Sequence, residues 1–100
     1  KKFGLRAPMV GHLGDGNFHV LLPYNPEKKE TYEKIRKFSD ILIEKTLELE
    51  GTITGEHGVG LHKKEYLKKE HADNLPTMKL IKRTMDPNNI MNPGKIFDLN

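Results

Sequence analysis

The stretch Gly11-His12-Leu13-Gly14-Asp15-Gly16-Asn17-Phe18-His19 decides how the first part of the chain folds, because it places turn-forming residues between β-forming ones. Apolar residues alternate with glycines and polar residues over residues 6–24, and residues 18–22 have the composition of a buried strand that ends before Pro23. Asp-Gly and Gly-Asn pairs favour a turn or a bulge, since glycine readily adopts a positive φ. The sequence therefore predicts strand structure with a break at residues 14–17.

The break decides whether two histidines can act together. His12 and His19 are seven residues apart, so an unbroken strand would point their side chains to opposite faces. One inserted residue, as in a β-bulge at the break, would return both imidazoles to a common face. The sequence therefore predicts a histidine pair that depends on this interruption.

A second glycine-rich segment has the same form as the first. Gly55-Glu56-His57-Gly58-Val59-Gly60 and residues 11–16 both follow the pattern G-x-x-G-x-G. The dinucleotide-binding pattern is G-x-G-x-x-G between a strand and a helix, so this glycine order does not predict a nucleotide loop. Glycines at these positions instead allow a close approach of backbones and the convergence of neighbouring polar side chains.

These two segments contain a candidate set of metal ligands. If Glu56 lies beside His12 and His19, the three residues present two neutral imidazoles and one carboxylate, which suits zinc and equally manganese, cobalt or ferrous iron. In an extended segment the ring of His57 would face the opposite way from Glu56 or sideways, so His57 can be a base rather than a ligand. The alternative, that all of these side chains have surface or structural roles, stays open. We expect His62 and His71, which sit among Lys and Glu, to be solvated.

The rest of the chain alternates further between helix and strand signals. We expect a helix over residues 25–50, with Asn25 as N-cap and Gly51 just after its end. The β-branched residues 52–54 predict a second strand.

In the last third of the chain a weak helix signal is followed by a stronger one. Residues 61–70 indicate a charged helix or turn, and residues 75–85 a helix that begins after Asn74 or Asp73. Pro87 ends that helix, and the tail 90–100 is predicted to be extended, with an Asn-Pro-Gly turn. The predicted fold class is α+β, a small, mostly antiparallel sheet with helices on one face. Its unpaired sheet edges could pair with those of a second copy, so a homo-oligomer is an open alternative.

Composition excludes several classes of function. The 100 residues are only 35% hydrophobic and lack an initiator Met, so we expect a piece of a larger protein. With no Cys, thiol catalysis, disulfides and iron–sulfur clusters are excluded. The net charge is +3, and 14 of the 17 cationic side chains are Lys rather than Arg, a composition that does not predict nucleic-acid binding. No apolar run is long enough to span a bilayer, so we expect a cytoplasmic protein, with peripheral membrane association left open. A zinc hydrolase ranks last because the H-E-x-x-H motif is missing.

Three motifs together resemble the C-terminal domain of FAD-linked oxidases. They are Gly-His-Leu-Gly-Asp-Gly-Asn-Phe-His at residues 11–19, Gly-Thr-Ile-Thr-Gly-Glu-His-Gly-Val-Gly at residues 51–60 and Asp-Pro-Asn-Asn-Ile-Met-Asn-Pro-Gly-Lys at residues 86–95. The family includes D-lactate dehydrogenases, the glycolate oxidase D subunit and D-2-hydroxyglutarate dehydrogenases. The resemblance implies that residues 1–100 are the C-terminal part of a ferredoxin-like substrate or cap domain in a flavoenzyme of the vanillyl-alcohol oxidase type.

The resemblance also implies a reaction and its residues. The parent would oxidise a D-2-hydroxy acid with FAD held by a separate N-terminal domain, and pass electrons to an acceptor protein or quinone. His12, His19 and Glu56 would ligate a divalent zinc or manganese ion, His57 would be the base, and Asn92 would lie near the flavin. Hydroxyglutarate-type enzymes carry Asn where this chain has Leu21, which leaves the substrate open. The alternative is that these residues alone form a non-catalytic structural or assembly module without flavin.

Overall fold

The computed structural model describes residues 3–100, which belong to two compact units divided after Leu49. The first contains a two-stranded sheet and one long helix, and the second contains two helices joined by irregular segments. The elements are β1 (Met9–His12), β2 (Asn17–Val20), α1 (Lys29–Glu48), α2 (Lys64–His71) and α3 (Leu75–Met85). The predicted α+β class, with a small antiparallel sheet, is confirmed.

The first glycine motif forms a β-hairpin. β1 and β2 pair in antiparallel fashion, from Met9 opposite Val20 to His12 opposite Asn17. Between them a short 3₁₀ turn is closed by Gly16, whose N–H donates to the Leu13 carbonyl at 3.2 Å and whose φ is 66°. The predicted interruption is therefore present, but it reverses the chain instead of bulging one strand, because four consecutive residues are available for the turn.

A close approach between the two strands requires glycine at position 11. A Cβ atom on Gly11 would lie 2.3 Å from the carbonyl oxygen of Asn17 and 2.6 Å from the Cα of Phe18. Both neighbours are backbone atoms of the partner strand and cannot rotate away. Gly14, in the turn, has no heavy atom within 4 Å of the same position. Only the first of these glycines is therefore demanded by packing.

Helix α1 begins later than predicted. Asn25 does not cap it: the Asn25 side-chain oxygen accepts the N–H of Glu27 at 3.0 Å, and its carbonyl accepts the N–H of Lys28, also at 3.0 Å. These bonds make a separate turn, and Lys28, with a ψ of 88°, is the residue before the helix. At the other end the helix stops at Glu48, and Glu50 adopts a positive φ of 58° one residue before the predicted Gly51.

Residues 52–54 are not a strand, contrary to the prediction. The N–H of Ile53 donates to the Glu70 carboxylate on α2 at 3.0 Å, so it has no need of a sheet partner. Ile53 is nonetheless buried, and it forms the apolar centre of the second unit together with Leu67 of α2. The β-branched composition of residues 52–54 therefore does not lead to strand pairing.

The two shorter helices follow the sequence signals. α3 has the predicted bounds, with Asn74 before it and Pro76 in its first turn, and α2 lies in the stretch predicted as helix or turn. None of the helices in residues 3–100 combines the length and apolar character that a bilayer crossing requires.

Asp86 ends α3 and organises the loop that follows. It leaves the helical region with a φ of −138°, as expected of a residue before Pro87, and is 5% exposed. Its two carboxylate oxygens accept the N–H groups of Ile90 and Met91, each at 3.0 Å, and it forms an ion pair with Lys82 one helical turn earlier. The sequence predicted the end of the helix but not this arrangement.

The tail after this loop is irregular and anchored. Lys95 N–H donates to the Asn92 carbonyl at 3.3 Å, which confirms the predicted turn. Lys64 of α2 donates to the Gly94 carbonyl at 3.1 Å and to the Asp98 carboxylate at 2.6 Å. Helix α2 therefore holds both the beginning and the end of the second unit.

Removing the buried side chain of Leu67 should destabilise the second unit. Leu67→Ala is expected to lower the free energy of unfolding by about 2 to 4 kcal/mol, because a 5% exposed leucine loses its contacts and leaves a cavity. Leu80→Ala, at a position 63% exposed on α3, is the control and should cost less than about 1 kcal/mol. Urea unfolding followed by circular dichroism measures both, and equal losses would contradict the assigned core.

Acid should weaken the second unit through Asp86. The hydrogen bond from Lys82 holds the pKa of this carboxyl below its usual value, and the N–H groups of Met91 and Ile90 act in the same direction. A carboxylate with a lowered folded pKa stabilises the protein above the unfolded pKa of about 3.9, and this stability is lost as the pH falls through the folded pKa. Asp86→Asn should therefore reduce the drop in Tm between about pH 5 and pH 3. Asp73→Asn, at an exposed position, is the charge control; an unchanged drop in the Asp86 variant would refute the assignment.

Candidate functional site

The hairpin places His12 and His19 on the same face of the sheet. His12 pairs with Asn17, and His19 lies two residues further along β2, opposite Val10. Paired residues share a face and so do residues two apart, so the histidines are diagonal neighbours, a relation in which backbones are about 7 to 8 Å apart. The predicted common face is present, and the chain reversal produces it.

The two faces of the hairpin differ in character. Asn17 lies on the face with the two histidines; His12 is exposed and His19 is half-buried. Gly11 and Phe18 occupy the opposite face, where the close approach of the strands occurs. The hairpin therefore separates its imidazoles from the contact that holds its strands together.

The second glycine motif forms a tight turn with two candidate residues at its tip. Gly58 N–H approaches the Gly55 carbonyl at 3.5 Å, so Glu56 and His57 are the central residues of the turn, and both are exposed. Gly58 adopts a φ of 70°, which glycine permits at little cost. This segment is not extended, so the condition under which the ring of His57 would face the opposite way from Glu56 or sideways is not met. Glu56 Oε1 and His57 Nε2 are 3.9 Å apart.

The base of this turn is held by side chains. Thr54 donates its hydroxyl to the Gly58 carbonyl at 2.8 Å and accepts a hydrogen bond from the Lys63 ammonium at 3.1 Å. These contacts fix the two ends of the turn and leave its tip accessible. A carboxylate and an imidazole are thus presented together on a short, well-anchored loop.

Asn92 lies in the third motif, in the same unit as Glu56 and His57. It has a left-handed φ of 48° and lines a cavity of about 260 Å³ together with Asn89 and Phe97. The Ile96 N–H donates to the Gly60 carbonyl at 2.8 Å, so the tail after Asn92 contacts the end of the second motif. The structure therefore brings the second and third motifs side by side.

The other residues considered from the sequence divide into two groups. His62 is exposed, as expected, and His71 is half-exposed with its ring 3.5 Å from Glu70. Sequence reasoning missed Lys82 and Asp86 as organisers of the third motif. The sequence signal that could have identified this pair is its spacing of four residues, one helical turn, at the end of a predicted helix and directly before Pro87.

The donor chemistry of the candidates fits a divalent transition metal. Imidazole nitrogens and carboxylate oxygens are ligands of zinc and manganese, and this chain contains no thiolate that would direct it to a softer ion. Two imidazoles on one hairpin face provide part of such a set, and Glu56 lies on an accessible turn. The residues present are therefore chemically suited to such an ion.

Comparison with known proteins gives consistent relatives. Residues 1–96 match the family described as FAD linked oxidases, C-terminal domain. The chain is 44% identical over 94 residues to the mitochondrial D-lactate dehydrogenase [cytochrome] of Arabidopsis thaliana, covering 93% of this chain and 17% of the relative. It is 41% identical over 97 residues to the glycolate oxidase subunit GlcD of Bacillus subtilis, with coverages of 96% and 21%.

A third relative has a different named substrate. The D-2-hydroxyglutarate dehydrogenase of Stutzerimonas stutzeri is 41% identical over 90 residues, covering 87% of this chain and 19% of the relative. The chain thus spans about a fifth of the length of the curated relatives it matches. Because the family match extends over nearly all of its residues, the chain belongs to the C-terminal domain family of the FAD linked oxidases.

Proposed function

We propose that this chain is the C-terminal part of the substrate domain of a flavoenzyme that oxidises a D-2-hydroxy acid. The observation that carries the proposal is the hairpin that puts His12 and His19 on one face, in a chain of this family. The relatives are named for D-lactate, glycolate and D-2-hydroxyglutarate, which are all small 2-hydroxy acids. A small 2-hydroxy acid is accordingly the proposed substrate class.

His12, His19 and Glu56 are the proposed ligands of a divalent metal, zinc or manganese. When bound, such an ion supplies Lewis-acid polarisation of a hydroxyl or carboxylate oxygen of the substrate. The two histidines hold a fixed spacing because both belong to paired strands, and Glu56 lies at the tip of an anchored turn. The hairpin thus sets the backbone positions of the two histidines, and the turn sets that of Glu56 within its own unit.

His57 is the proposed base. An imidazole accepts a proton near neutral pH, and His57 is exposed on its turn, so a substrate can reach it. Its role is to take the proton of the substrate hydroxyl at a ring nitrogen. The neighbouring Glu56 carboxylate lies 3.9 Å from Nε2 of the ring.

The flavin belongs to a partner domain in this proposal. FAD, when bound, supplies the acceptor for the hydride that leaves the hydroxyl-bearing carbon. Asn92 is the residue of this chain proposed to lie near the flavin, and the cavity that it lines provides a concave surface there. The flavin-binding domain of the parent and an electron-acceptor protein or quinone are the further proposed partners, while pairing of sheet edges offers a route to a homo-oligomer.

Two glycine substitutions test whether the hairpin geometry creates the metal site. Gly11→Ala should weaken Zn²⁺ binding about 10- to 100-fold, because the added methyl group clashes with the backbone of β2 and separates the strands that position His12 and His19. Gly14→Ala is the matched control, since nothing lies within 4 Å of its Cβ. Calorimetric titration with Zn²⁺ measures both affinities. Equal affinities would refute a dependence of the site on strand contact.

Histidine variants of the flavoprotein that contains this chain test the separate roles. His57→Ala should lower turnover about 10²- to 10⁴-fold with the metal retained, because only the base is removed. His12→Ala or His19→Ala should lose both metal and turnover, and His62→Ala, at an exposed position outside the motifs, is the control. Metal analysis beside turnover on each purified variant gives the result. Unchanged turnover in the His57 variant would end its assignment as base.

A further inference from the structure

We infer that Lys82 and Asp86 are positioning residues for Asn92, an inference that rests on the proposed role of Asn92 beside the flavin. These two side chains, referred to below as the Lys82–Asp86 clamp, form an ion pair at the end of α3. Neither is proposed to touch substrate or cofactor. They act on Asn92 through the backbone of the residue before it.

The clamp holds Met91 from both sides. The Asp86 carboxylate accepts the Met91 N–H at 3.0 Å, and the Lys82 ammonium donates to the Met91 carbonyl at 2.5 Å. The second of these contacts fixes the peptide group between Met91 and Asn92. The clamp therefore determines the orientation of the peptide plane from which the φ of Asn92 is measured.

The peptide group after Asn92 is also held. The Asn92 carbonyl accepts the Lys95 N–H at 3.3 Å. With both flanking peptide groups fixed, Asn92 stays at a φ of 48°, in the left-handed region that Asn adopts more readily than most other non-glycine residues. The clamp is the part of this fixation that comes from a helix end.

Burial strengthens the Asp86 end of the clamp. The Asp86 side chain is 4% exposed and that of Lys82 is 22% exposed, so water competes poorly for the hydrogen bonds of Asp86, whereas the bond from Lys82 to the Met91 carbonyl is exposed. A second carboxylate oxygen accepts the Ile90 N–H at 3.0 Å, which adds another fixed point to the loop. Lys82 and Asn92 line the same cavity of about 260 Å³, so Lys82 also forms part of the surface on which Asn92 lies.

An exposed ion pair of the same sequence spacing provides a matched control. Glu30 and Lys34 on α1 are also one helical turn apart, with an N–O distance of 2.6 Å, but they are 80% and 49% exposed. Removing that pair changes charge and helix pairing on α1, which is not part of the third motif. Glu30→Gln is therefore the control for Asp86→Asn.

The experiment compares FAD affinity and the flavin absorption spectrum of the complete flavoprotein in six variants: Asn92→Ala, Lys82→Met, Lys82→Arg, Asp86→Asn, Lys82→Met combined with Asn92→Ala, and Glu30→Gln. Lys82→Met should weaken FAD binding about 2- to 10-fold, the effect of one hydrogen bond, and shift the spectrum in the same direction as Asn92→Ala. The double variant should be no worse than Asn92→Ala alone, because the clamp acts through Asn92. Lys82→Arg should restore most of the affinity, since it keeps the charge and the donor.

The outcomes separate the inference from the function on which it rests. If Asn92→Ala changes the flavin and the clamp variants do not, the inference is overturned and the proposed function stands. If Asn92→Ala itself leaves affinity and spectrum unchanged, the cofactor role of Asn92 fails and the inference fails with it. Additive losses in the double variant would show that Lys82 acts independently of Asn92, which also overturns the inference. Should Asp86→Asn unfold, Lys82→Met and its rescue by Lys82→Arg decide the matter alone.

Discussion

A buried peptide group must find a hydrogen-bond partner, and in residues 50–100 charged side chains of the helices supply it. Glu70 accepts the N–H of Ile53, Lys64 donates to the carbonyl of Gly94, and Asp86 accepts two N–H groups of its loop. The apolar centre of this unit is too small to order its irregular segments by burial alone. Helices α2 and α3 act as scaffolds from which charged groups hold the loops that contain the candidate residues.

The first unit uses a different constraint. Its hairpin depends on a strand contact so close that the Cβ of any other residue at Gly11 would overlap the backbone opposite. That contact lies on the face away from His12 and His19, so the imidazoles are positioned without being enclosed. Accessibility and fixed spacing, which a ligand set needs together, follow from this division of faces.

The sequence predicted a structural element correctly where the interactions that form it join residues close in the chain, and wrongly where they join distant residues. Helix α3 has its predicted bounds because Asn74, Pro76 and Pro87 act on adjacent residues. Residues 52–54 were predicted wrongly because the partner of the Ile53 N–H, Glu70, is distant in sequence and the β-branched pattern carries no information about it. The sequence alone likewise predicted that a break would decide the histidine pair, but not that the break would reverse the chain.

The candidate site residues were also hard to predict, because their positions depend on the hydrogen bonds of the backbone around them. Both glycine motifs have the pattern G-x-x-G-x-G, yet their first glycines do different work: Gly11 belongs to a paired strand, whereas Gly55 opens a turn. In the first motif, His12 therefore lies in a strand before the turn, and strand pairing determines its neighbours. In the second motif, Glu56 and His57 lie at the tip of the turn. The G-x-x-G-x-G pattern shows where polar side chains can lie close together. Which of them are exposed to a ligand depends on the hydrogen bonds of the flanking backbone. For this reason a motif in this family is better interpreted with its supporting contacts, Thr54 and Lys63 for the second motif and the Lys82–Asp86 clamp for the third, than from its glycines alone.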